Sequence, residues 1–158
     1  MSHDLTSFQV IAFATHGLVG GEVAGLAEPA LVMSTPQPGE AAGDGLLTAS
    51  EIARLHLDAD WVLLTACNTA GGEQSGSPGY SGLARAFAQA GARSLMLSHW
   101  RVRDDAATML SVETMRRAAG GASRAEALRQ AELALMTRTD VADAAHPAVW
   151  APFVIVGD

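Results

Sequence analysis

The sequence predicts an α/β domain: a mainly parallel sheet with helices on both faces. Three observations carry this. Four short apolar runs, Val10–Ala14 (VIAFA), Trp61–Leu64 (WVLL), Leu95–Leu97 (LML) and Phe153–Val156 (FVIV), are spread along 158 residues. Each is continuously apolar rather than alternating, the pattern of strands covered on both faces. The segments between them carry helix start and stop signals, and strands that alternate with helices assemble into parallel sheets.

The elements follow in order. VIAFA is the first strand. Ser34–Gly45 (STPQPGEAAGDG) is a surface loop, the tip of a hairpin between Leu31–Met33 and Leu46-Leu47. Thr48-Ala49-Ser50-Glu51 forms a capping box, with Leu47 and Ile52 placed as a hydrophobic staple. WVLL is the second strand. Tyr80–Gln89 sets Leu83 and Phe87 at i,i+4 and stops at Gly91, a C-terminal cap. LML is the third strand. Asp104 or Asp105 caps a helix running to about Ala119, ended by Gly120-Gly121. Ser123-Arg124-Ala125-Glu126 is a second capping box, opening a helix whose Leu128, Ala131 and Leu135 share one face. His146-Pro147 and Trp150-Ala151-Pro152 make a rigid lead-in to the last strand.

Composition bounds the function. The length suits one domain, residues 1–158, with a sizeable core. Hydrophobic residues make up 49% and charged residues 17%, which places the chain among globular proteins. A net charge of -7 argues against nucleic acid as a partner. The single cysteine cannot close an internal disulfide. The amino-terminal residues lack a signal-peptide pattern, and no apolar run approaches the roughly 20 residues that span a bilayer. The expectation is a cytoplasmic protein without membrane contact.

The chemistry-bearing residues stand at strand ends, where open α/β sheets place function. VIAFA leads into Thr15-His16-Gly17, and WVLL into Thr65-Ala66-Cys67. Neighbouring parallel strands would deliver an imidazole and a thiol to one edge. Cysteine is nucleophilic as thiolate, and a nearby histidine takes its proton or stabilises the anion. Gly17 has no Cβ to obstruct a substrate carbonyl, so its N–H and that of Cys67 could form an oxyanion hole. Taken singly, a strand-end cysteine or histidine is more often structural; the joint pattern is much less common. Rival chemistries lack parts. CNTAGGEQ has no arginine for a Cys-x5-Arg phosphatase, and the chain has no lysine for a P-loop. GYSGL is one residue short of G-x-S-x-G. A zinc site from His16, Cys67 and His99 is conceivable, but no short-range ligand pair supports it.

FATHG, DGLLTASEIARL, LLTACNTA, SLMLSHWRVRDDAA and HPAVWAPFVIVGD, in that order, resemble a CHAT domain. That is the caspase-like cysteine peptidase module often attached to TPR repeats and related to separase. The resemblance implies a caspase-like three-layer sandwich with His16 and Cys67 as catalytic dyad. The Cys follows the His by 51 residues, against about 50 in caspases. Asp104 matches the family's acidic position after the next strand. Ser98, Trp100, Arg101 and Asp104 would then border the pocket for the residue before the scissile bond. Their plainer readings are helix capping for Asp104 and core packing for Trp100. Gly71–Gly79 (GGEQSGSPG) reads as a substrate-gripping loop or a connector.

The implied activity is that of a cysteine endopeptidase on a protein or peptide substrate, with no metal or organic cofactor. The alternative is a non-catalytic caspase-like interaction or scaffold module. A caspase-like domain has two strands before the one carrying the histidine, and only nine residues precede Val10. The chain is therefore expected to be the carboxyl-terminal catalytic part of such a domain, its amino-terminal strands absent. Phe8–Ala14 would be left as an apolar sheet edge, which natural proteins avoid. It is expected to pair with a second copy of the chain or with a separate amino-terminal segment.

Overall fold

The computed structural model describes residues 5–34, 43–65 and 82–157. Its main sheet has four strands: β1 (Val10–Phe13), β5 (Trp61–Leu64), β6 (Ser94–Ser98) and β7 (Phe153–Gly157), in the order β1-β5-β6-β7. The first three are parallel and β7 runs antiparallel to β6. The four apolar runs are these four strands, and the mainly parallel α/β sheet is the one the sequence predicts.

Pleating divides the core in two. On β5, Val62 and Leu64 face one layer, with Ile52, Leu83 and Phe87; Trp61 and Leu63 face the other, with Leu110, Leu128 and Leu135. The first layer is built by α1 (Ala49–Ile52) and α2 (Gly82–Gln89), the second by α3 (Asp104–Ala119) and α4 (Arg124–Met136). Two helical layers about one sheet make the three-layer, caspase-like arrangement.

Local chemistry explains the boundaries. Thr48 accepts from the Glu51 N–H and the Glu51 carboxylate accepts from the Thr48 N–H, completing the capping box that starts α1. α2 ends in a Schellman motif: Ala92 N–H bonds to Phe87 O and Gly91 N–H to Ala88 O, with Gly91 at φ +106°. α3 starts one residue earlier than an aspartate cap would give. Arg103 is the N-cap, and Asp104 and Asp105 fall in the first turn, where they complement the helix dipole. Val102 is buried, so the chain has already dropped to the sheet before Asp104. Ser123 caps α4 by accepting from Glu126 N–H, but the Glu126 carboxylate turns to Arg129 and Gln130. The second box is thus half-formed. The lead-in to β7 holds a short helix, α5 (Pro147–Trp150), whose first residue is Pro147; His146 Nδ1 accepts from Ala148 N–H.

The predicted hairpin is present as β3 (Ala30–Val32) against β4 (Leu46–Thr48). A two-residue strand, β2 (Gly17–Leu18), extends it to a second sheet, β2-β3-β4. The strand predicted to be covered on both faces is covered on one. Ile11 and Phe13 pack into the α1/α2 layer, and Phe13 meets Phe87 at 5.2 Å between ring centroids. Val10 is 44% exposed, because β1 is the sheet edge and α3 lies over β5 and β6. No helix among the described residues is long and apolar enough to cross a membrane.

Candidate active site

The β1–β5 register sets the site. Val10 to Phe13 lie opposite Trp61 to Leu64 in parallel, and the ladder closes with Thr65 N–H on Phe13 O at 3.2 Å. The Thr65 hydroxyl donates to the same carbonyl at 3.2 Å. Both chains therefore leave the sheet at the same edge and the same level. One continues into His16 and the other towards Cys67. Cys67 lies outside the described residues.

His16 is exposed, and its backbone is held. Its carbonyl accepts from Val32 N–H at 2.9 Å, while the Thr15 hydroxyl donates to Val32 O. The turn from β1 into β2 is thus tied to β3 on both sides of the histidine. Gly17 pairs with Leu31 in that small antiparallel sheet. Because His16 and Val32 are a hydrogen-bonded pair, alternation makes Gly17–Leu31 a non-bonded one. The Gly17 N–H points away from β3 and is available as a donor.

The segment after β6 carries the remaining candidates. Ser98 is buried as the last residue of β6, opposite Phe153. Trp100, placed by sequence at the pocket with core packing as its plainer reading, is 37% exposed, which overturns the plainer reading. Its Nε1–H donates to Ala148 O at 3.1 Å, and its ring stacks on His99 with centroids 6.0 Å apart. Arg101 is exposed. Arg103 donates to the Asp105 carboxylate and to Ala142 O. That hydrogen bonding holds the Asp105 carboxyl below its ordinary range and the Arg103 guanidinium above its own.

Asp104 and His16 line one groove of about 440 Å³ between β1, the end of β5 and α3. Its apolar walls include Leu63, Val102, Val112 and Met115. Ser98, Trp100 and Arg101 are not among its described lining residues. The groove itself was not legible in sequence, since β1 and α3 are far apart in the chain. The nearest sequence signal was Val112 and Met115 at i,i+3 on α3. Both are exposed, at 61% and 38%.

The family model of the CHAT domain matches the chain over residues 1–158. No curated protein matches it.

Proposed function

The chain belongs to the CHAT domain family, a group related to caspase-like cysteine peptidases, and we propose that it is itself a cysteine endopeptidase acting through His16 and Cys67. The observation that carries this reading is the parallel β1–β5 register, which ends with Thr65 on Phe13, three residues before His16. Two chain segments leaving one sheet edge at one level are what a histidine–cysteine pair needs. The groove beside His16 adds room for a substrate side chain.

In this mechanism the Cys67 thiolate attacks the substrate carbonyl carbon. The negative charge moves to the carbonyl oxygen, which accepts from the Gly17 and Cys67 N–H groups. The His16 imidazolium gives its proton to the leaving amine as the C–N bond breaks. A thioester remains on Cys67. Water, deprotonated by His16, attacks it; the C–S bond breaks and the acid product leaves with Cys67 again a thiolate.

Digestion of an unbiased peptide library tests this, together with covalent labelling by peptidyl electrophiles. The intact chain should cleave and be labelled at Cys67. Cys67→Ala should lose both, and His16→Ala should lower cleavage by roughly 10²- to 10⁴-fold, the usual worth of a positioned acid–base group. Cleavage that survives Cys67→Ala sinks the mechanism. A chain that neither cleaves nor labels is the non-catalytic interaction module.

A further inference from the structure

We propose that a second groove, between α3 and α4, is a further contact for the substrate chain. It takes a large apolar side chain, such as leucine, isoleucine or methionine, three or four residues along the peptide from the one held beside His16. This rests on the peptidase reading above and adds to it a surface away from the reacting bond.

The two grooves share a wall. The α3/α4 groove, of about 380 Å³, and the His16 groove are both lined by Thr108 and Val112. Ala107, Ser111 and Met115 line the His16 groove and not the other; Met109 and Glu113 line the α3/α4 groove and not the first. Thr108 and Val112, one helical turn apart, are therefore a ridge with a hollow on either flank. Met109, Val112 and Met115 follow one another at i,i+3, an apolar line that leads from one hollow over the ridge into the other. Val112, at the crest, is the most exposed large apolar side chain among the described residues. A chain crossing the ridge would cover it. A helix with its side chains is about 10 Å across, and an extended peptide advances about 3.3 Å per residue. The crossing thus takes three or four residues. Continuity with the His16 groove names the occupant: a peptide seated beside His16 and turning over α3 reaches this hollow next.

The lining selects what lands there. Ala131 and Ala134 on α4 have short side chains, which open the space, and Leu135 walls it opposite Met109. Its two charged groups already have partners. The Glu113 carboxylate holds Arg116 and Arg117, and Arg138 holds Asp140. A charged substrate residue would give up water there without finding a free counter-charge. An apolar side chain instead covers apolar surface, and the flexible Met109 adapts to its shape.

The test uses the full chain and a peptide cleaved in the library digest. Leucine and glutamine, compared in turn, are moved through each position from two to six residues on either side of the scissile bond. Leucine should raise kcat/KM over glutamine roughly 3- to 10-fold at three or four residues, the worth of a leucine side chain half covered. Elsewhere the ratio should stay near one. Ala134 is exposed on α4 and does not line the His16 groove. Ala134→Glu puts a charge in the hollow and Ala134→Leu fills it, so each should bring the ratio to about one. A flat profile in the unaltered chain, or a preference that survives both substitutions, overturns the inference. Labelling of Cys67 by an electrophile too short to cross α3 would then leave the peptidase reading standing. If no peptide is cleaved, binding of the library to the Cys67→Ala chain decides. Enrichment of large apolar residues that Ala134→Glu removes supports the groove as a peptide contact; no enrichment, or enrichment that persists, refutes it.

Discussion

Replacing Glu132 with glutamine should abolish a pH dependence of stability that the fold builds into α4. Glu132 is half-buried, one residue past Ala131 and between Leu128 and Leu135, which all pack against the sheet layer. Burial without a cationic partner raises its carboxyl from 4.5 to about 7. Between these two values the folded protein holds a proton that the unfolded chain has released. The native state binds more protons there, so stability falls as pH rises, and the loss is complete above about pH 7. The gap corresponds to about 3 kcal/mol. The side chain is only partly buried, and screening by water brings the effect to about 1–2 kcal/mol. Thermal and urea unfolding of the unaltered chain and Glu132→Gln at pH 5, 6, 7 and 8 measures it. The two should differ progressively, with the glutamine chain more stable at pH 8 by about 1–2 kcal/mol, or roughly 2–8 °C in Tm. A difference that does not change with pH would refute the reasoning, as would a glutamine chain less stable at pH 8.

Gly91→Ala should cost about 2–4 kcal/mol, since its φ of +106° is left-handed and an added Cβ runs into the Leu57 carbonyl oxygen. Gly121→Ala, at φ +99° but with open space around it, should cost only about 1–2 kcal/mol; equal costs in denaturant titration would show that the Leu57 approach does not matter. At the sheet edge, the chain should self-associate at micromolar concentration through β1, and Ala12→Lys should break the assembly and lower solubility. Sedimentation velocity that gives a monomer at every concentration refutes that.

Where the sequence pattern was dense, it reported the structure closely. WVLL is β5 to the residue, because its four side chains are all buried and no propensity competes. Leu83 and Phe87 are buried at i,i+4 in α2, and Gly91 ends that helix by the predicted backbone geometry. The failures have physical causes. Two residues carry no periodicity, so β2 was invisible until β3 paired with it. The start of α3 was set by burial of Val102 rather than by the capping preference of aspartate. Glu126 had closer partners in Arg129 and Gln130 than the backbone N–H that a capping box supplies. Core packing, the plainer of the two readings of Trp100, fails because its N–H donates to Ala148 O at the rim. At the site, local patterns flagged His16 and Asp104, but the groove that joins them is a long-range consequence of α3 passing beside β1.

That passage ties the sheet edge to the site. In the parallel ladder, Gln9 and Phe13 turn their carbonyls to β5. Val10, Ala12 and Ala14 therefore point their N–H and C=O groups outward, where nothing among the described residues pairs with them. Ala12 and Ala14 also line the His16 groove. Val10 lines a neighbouring hollow that extends past Met115 towards Trp61 and Arg124. Met115 belongs to both, so one trough runs along β1 from the amino end of the sheet to His16. A strand that satisfied the outward groups of β1 would bury the exposed Phe8 and Val10 and give the trough its missing wall. Completing the sheet and closing the groove are one physical event. The lysine in Ala12→Lys would project into the groove as well as burden the edge, so loss of pairing and loss of peptide cleavage should appear in the same variant. A charge at Val112, across the groove on α3, should lower peptide cleavage while leaving β1 free to pair.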